Sequence, residues 1–119
     1  MHRDMRTPLA VASLLCALVA AAAPAAVAAD YGSCRPVLDP YAGTRYEGAD
    51  LRGIRASNVS CVHARRVARG AHRKALGLTP PPSGVRRFSW RGWRVTGDLR
   101  GDRDRYAARR GDKRVRWTF

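Results

Sequence analysis

Residues 30–119 contain one glutamate and two histidines, the side chains best suited to general acid–base catalysis. They are Glu47, His63 and His72. A small secreted ribonuclease would need two such groups close to an arginine. Glu47 lies in a segment rich in Gly, Pro and Asp, and the two histidines are nine residues apart, on opposite sides of any helix. The spacing favours a protein without catalytic activity, and a ribonuclease-like enzyme is the alternative.

Two cysteines, Cys34 and Cys61, lie in the same part of the chain. In an exported protein such a pair is expected to form a disulfide, closing a loop of about 28 residues. Loop closure of this size contributes roughly 3–4 kcal/mol. A metal site with His63 and His72 is the competing interpretation, but the two histidines diverge on a helix. The sequence therefore predicts a Cys34–Cys61 disulfide, no metal site and no cofactor.

Arginines are the remaining chemically active residues, and four of them share one side of a predicted helix at 57–78. At 100° per residue they fall in an arc of roughly 100°. Small apolar residues occupy a separate arc of roughly 120°. The arginines, Arg65, Arg66, Arg69 and Arg73, are candidates for anion binding. The apolar arc contains Cys61, Ala64, Val67, Ala68, Ala71 and Ala75.

The ends of this helix are marked by residue type. Ser57 or Ser60 can accept a hydrogen bond from a free backbone N–H as the N-cap. Gly77 suits the left-handed position that often follows the last helical turn, and three prolines come soon after it. Gly70 lies in the interior and weakens the helix by about 1 kcal/mol relative to alanine.

Charge suggests the class of partner. The chain has 23 Lys and Arg residues against 9 Asp and Glu, a net charge of +14. Residues 30–119 alone have 21 against 8, a net charge of +13. Such an excess attracts anionic surfaces, whether nucleic acid, cell-wall polymers or acidic lipid. We therefore expect a non-catalytic module that binds anionic polymers of the cell envelope or nucleic acid.

Residues 1–29 have the pattern of a secretory signal peptide. A basic start precedes an apolar run from Leu9 to Ala23, and Ala26-Val27-Ala28 supplies small residues for cleavage. No second long apolar stretch follows. The prediction is a secreted, extracellular protein that keeps no stable membrane span after cleavage.

The rest of the chain is predicted to be one small α+β domain, residues 30–119. Residues 30–56 are rich in turn-forming residues and are expected to be largely irregular. Within them, residues 51–56 are a candidate short strand that leads into the helix. After the prolines, apolar residues and arginines alternate in short runs separated by Gly-containing turns. This alternation predicts one helix packed on a three- to four-stranded antiparallel sheet, with a disulfide. It also places aromatic side chains on the core face and arginines in water, in preference to an aromatic platform for nucleic-acid bases.

Three local patterns resemble a loosely defined group of small exported proteins of actinobacteria. They are the run from Ile54 to Cys61, the sequence Ala64-Arg65-Arg66-Val67, and the run from Gly111 to Trp117. The resemblance implies export and a strand, a helix that begins at Ser-Cys, and antiparallel strands. It implies no activity. The group usually has a second cysteine pair in the later strands, whereas no cysteine is found near Trp90 or Ala108.

Overall fold

The structure, a computed structural model, describes residues 30–119. The predicted signal peptide, residues 1–29, lies outside the described residues. The described part contains six strands in one antiparallel sheet and a helix packed against it. The elements are β1 (Gly32–Ser33), β2 (Arg52–Ser57), α1 (Cys61–Leu76), β3 (Val85–Trp90), β4 (Trp93–Asp98), β5 (Arg105–Arg110) and β6 (Lys113–Thr118). The strand order across the sheet is β1-β2-β6-β5-β4-β3.

The predicted α+β class is confirmed, but the prediction of three to four strands is wrong. The two additional strands are β1 and β2. The sequence does not predict β1, because it has only two residues. β2 corresponds to the candidate strand at 51–56, but its pairing into the sheet is not predicted, and it contains Gly53 at a register shift, with φ +59°. β2 pairs with the last strand, β6, so Ala56 lies opposite Val115. The chain therefore extends its sheet by pairing segments about sixty residues apart, which local patterns do not predict.

The helix begins after the second of the two predicted N-cap residues and ends differently from the prediction. The Ser60 hydroxyl accepts a hydrogen bond from the backbone N–H of His63 at 3.2 Å, so Ser60 is the N-cap. Gly77 has φ −86°, and the prediction of a left-handed residue there is wrong. Its N–H bonds to the carbonyl of Lys74, and the buried guanidinium of Arg86 donates to the carbonyl of Ala75. These donors satisfy carbonyls of the last turn, so no left-handed turn is required.

Small residues on the helix meet large aromatic residues on the sheet. Ala64, Ala68 and Ala71 are completely buried, as are the indoles of Trp93 and Trp117. The alanine face lets the helix approach closely, and the two tryptophans are the largest fully buried side chains of the core. This packing confirms that the aromatic side chains of the strands face the core.

The N-terminal segment is held at Cys34 by a covalent bond and a backbone hydrogen bond. Cys34 and Cys61 form the predicted disulfide, with their Cα atoms 5.4 Å apart. The N–H of Cys34 donates to the carbonyl of Ile54 at 2.8 Å. The start of the helix is thereby tied to the outer edge of the sheet. Within residues 30–119, no helix has the length and apolar character needed to cross a membrane.

Candidate anion-binding face

One face of the sheet is covered by α1, and the other is open. Because side chains alternate along a strand, each strand contributes apolar residues to the covered face and polar residues to the open one. In β4, for example, Trp93 and Val95 are buried whereas Arg94 and Thr96 are exposed. Five arginines of four adjacent strand segments lie on the open face. We call them the sheet platform: Arg87, Arg94, Arg109, Arg114 and Arg116.

Strand register places these arginines directly beside one another. Arg94 is opposite Arg109, and Arg109 is opposite Arg114, so three arginines follow one line across β4, β5 and β6. On the neighbouring line Arg116 is opposite Arg55 of β2. Facing side chains of like charge destabilise an antiparallel sheet, whereas an anion held between them removes the repulsion.

The platform surrounds a shallow depression of about 700 Å³. None of the residues that line it is acidic. The ring of Tyr31 lies at one side, with the guanidinium carbon of Arg116 at 4.5 Å from its centroid. Tyr31 is the only aromatic side chain of the lining that belongs to the open face, because Phe88 packs against the core. The surface is therefore concave, basic and poor in aromatic groups.

The few carboxylates that pair with arginines are elsewhere. Residues 30–119 contain two ion pairs, Arg52 with Asp50 at 2.7 Å and Arg100 with Asp98 at 3.0 Å. Hydrogen bonds from Arg100 lower the pKa of Asp98 to about 2, so this carboxylate stays ionised and occupied. Neither pair includes an arginine of the platform. The arginines of the platform are consequently free of ion pairs within residues 30–119 and can bind an external anion.

The four arginines predicted on the helix do not all serve the same purpose. Arg66, Arg69 and Arg73 are exposed on the outer side of α1. Arg65 is partly buried, and its Nη2 donates to the carbonyl of Pro36 at 3.2 Å. Arg65 therefore fastens the N-terminal segment to the helix, and the structure separates it from the other three.

The acid–base candidates do not come together on the platform. His72 is completely buried, and its Nδ1 accepts a hydrogen bond from the indole N–H of Trp117 at 3.1 Å. Burial, with the nearby charge of Arg86, lowers the pKa of His72 to about 4. Glu47 is in an exposed loop, and the ring of His63 is 6.1 Å from that of Trp93. No group of three metal-ligating side chains is found in the part of the chain that the structure describes.

The sequence predicts an arginine-rich side of the sheet, but its candidates for anion binding lie on the helix. The alternation in β4 and β6 already put Arg94, Arg114 and Arg116 on the polar side. The alternation does not determine the strand register, which lines up arginines across three strands.

Comparisons of the chain with protein-family models, with curated proteins and with solved structures found no match.

Proposed function

We propose that this protein is a secreted, basic, non-catalytic module that binds anionic polymers through the sheet platform. The observation that carries the proposal is the line formed by Arg94, Arg109 and Arg114, which has no carboxylate within its lining. A fold gains nothing from three adjacent like charges on its surface. A bound polyanion turns the same arrangement into a favourable one, because each phosphate or carboxylate it brings neutralises the facing guanidinium groups.

The side-chain types favour phosphate as the anionic group. Every basic residue that lines the depression is an arginine, and none is a lysine. The planar guanidinium group of arginine donates two parallel hydrogen bonds to a phosphate, whereas the ammonium group of lysine acts as a point charge. The large aromatic side chains of the strands pack on the covered face, buried or partly buried, and Tyr31 is the one aromatic ring that lines the open face. Contact with the polymer backbone is therefore favoured over stacking of nucleic-acid bases. The proposal also includes export of the protein and its resemblance to small exported proteins of actinobacteria.

The proposal is tested with the folded, oxidised protein and a fluorescent oligothymidylate of about 20 nucleotides, followed by anisotropy. The variant Arg94→Thr/Arg109→Thr/Arg116→Thr removes three platform charges. Loss of three phosphate contacts with a single strand weakens binding about a hundredfold at about 0.1 M salt. It also makes the dependence of log K on log salt concentration shallower by roughly two. The variant should remain folded, because threonine suits strands and fewer like charges face each other.

The control removes three charges away from the platform, as Arg35→Ser/Arg45→Ser/Arg103→Ser. These three arginines are exposed in loops, so the control has the same net charge as the platform variant. We expect it to lose far less affinity. Retention of the unaltered protein on heparin above about 0.5 M salt would indicate more than loose counterion exchange. No retention at about 0.1 M salt, or equal losses in both variants, contradicts the proposal.

A further inference from the structure

A second basic surface lies on the side of the molecule opposite to the platform. It consists of three exposed arginines of α1, which we call the helix stripe: Arg66, Arg69 and Arg73. The helix packs on the covered face of the sheet through Ala64, Val67 and Ala71, so its outer side points away from the sheet. The platform is on the other face of that sheet. The two sets of arginines consequently point in opposite directions.

The helix stripe, like the platform, has no carboxylate of its own. The sequence of α1 contains no acidic residue, and neither ion pair of the described chain involves the helix. Arg66 and Arg69 are three residues apart and Arg69 and Arg73 four, the spacings at which like charges on a helix repel each other. The stripe extends over roughly 10 Å along the helix axis. The stripe is therefore a second concentrated positive surface that can bind an anion.

The two surfaces are far enough apart to act separately. The helix with its side chains is about 10 Å thick, and the sheet lies between it and the platform. A separation of this size exceeds the screening length of about 8 Å at physiological salt. An anion bound on one side thus does little to reduce the attraction on the other. A chain seated in the depression of the platform also leaves the helix stripe exposed.

We propose that the protein holds two phosphodiester chains at once, one on each side, and so bridges them. The inference rests on the proposed function for the platform and adds a second site and a cross-linking role. The occupant is a flexible chain of phosphodiesters, because the platform is concave and its lining has no exposed bulky apolar group for insertion into a lipid surface. Nucleic acid and polyol-phosphate polymers of the cell wall share this chemistry.

Bridging is measured by capture. Beads with biotinylated oligothymidylate of about 20 nucleotides are mixed with a fluorescein-labelled copy of the same strand. The unaltered protein should bring the labelled strand to the beads, and protein-free beads should not. The variant Arg66→Gln/Arg69→Gln/Arg73→Gln should still bind one strand, as measured by anisotropy. It should bring at least about tenfold less labelled strand to the beads. The platform variant should lose both capture and most of the single-strand affinity.

The outcomes separate the two proposals. If no strand binds the unaltered protein, the proposed function fails. If single-strand binding is intact but the unaltered protein captures nothing, or the helix-stripe variant captures as much as the unaltered protein, the bridging inference is overturned. Light scattering on the same samples must show a monomer in the free protein, since a dimer that bridges through two platforms would also overturn it. Parallel beads with a glycerol-phosphate polymer and with phosphatidylglycerol vesicles identify the source of phosphate; capture by vesicles alone contradicts a chain as occupant.

Discussion

At the scale of single residues, His72 serves the packing of the core. His72, one of the three acid–base candidates in the sequence, is buried beside Tyr41, Tyr106 and Phe119, with ring centroids at 6.0, 4.9 and 4.2 Å. The indole N–H of Trp117 donates to its Nδ1, so the proton of the neutral ring is on Nε2. If Nδ1 were protonated, its N–H would face the indole N–H of Trp117, and two donors would be opposed inside the core. The histidine is therefore part of the packing and is held neutral.

The first prediction concerns pH. Burial and the charge of Arg86 lower the pKa of His72 from 6.5 to about 4. Between these two pH values the histidine is protonated in the unfolded chain and neutral in the folded one. Stability is therefore complete above the unfolded pKa and is lost as pH falls from about 6.5 toward about 4. Between about pH 7 and about pH 4.5 this amounts to about 2–3 kcal/mol of unfolding free energy.

Urea unfolding of the unaltered protein and of His72→Gln at both pH values measures this effect. Glutamine does not titrate and its amide oxygen can accept the Trp117 bond. We expect the variant to be less stable at neutral pH but to lose less stability on acidification, while carboxylate titration is common to both proteins. An equal pH dependence in the two proteins contradicts the assignment.

At the scale of elements, the fold depends on a match between a helix of small residues and a sheet of large ones. Gly70 shows how close that match is. The indole of Trp90, at the end of β3, lies directly over this glycine, and a Cβ added there would overlap the ring. The sequence alone presents Gly70 as a weak point of the helix, whereas the packing makes it the position that admits the tryptophan. A similar pairing occurs in the sheet, where Tyr106 covers Gly97.

The second prediction follows from that contact. An exposed helical glycine replaced by alanine gains about 1 kcal/mol. Gly70→Ala should instead destabilise the protein by about 1–3 kcal/mol, because Trp90 must leave its position. Denaturant unfolding measures the change.

The matched control is the same substitution in a Trp90→Ala background, where the obstructing ring is gone. There Gly70→Ala should be neutral or stabilising, giving a coupling of more than about 1 kcal/mol between the two sites. Additive effects of the two substitutions would show that the ring does not determine the need for glycine.

At the scale of the whole molecule, a small basic domain has to stay folded against its own charge. Residues 30–119 carry a net charge of +13, which favours expansion of the chain. A domain of this size has a modest core, so a covalent link matters. The disulfide between Cys34 and Cys61 holds the N-terminal segment, with β1 and Tyr31, against the rest of the sheet.

The third prediction is that Cys34→Ala/Cys61→Ala costs roughly 3–4 kcal/mol of unfolding free energy, as expected for the entropy of the closed loop. Because the destabilising repulsion between arginines is screened by salt, the variant should regain part of its stability at about 1 M salt. Thermal unfolding of both proteins at low and high salt, with the unaltered protein also measured after reduction, tests this. A stability equal to that of the oxidised protein would contradict a structural role for the bond.

The sequence by itself determined the features that depend on neighbours along the chain. A serine, Ser57 or Ser60, caps the helix, the alanine arc is buried, and alternation sends Trp117 to the core and Arg116 to water, because helix and strand periods act locally. The disulfide followed from the two cysteines of residues 30–119. The tertiary structure decided what depends on register and on distant contacts: the pairing of β2 with β6, the burial of His72, and the reason for Gly70. It also decided the platform, since only strand pairing brings Arg94, Arg109 and Arg114 from three strands into one line.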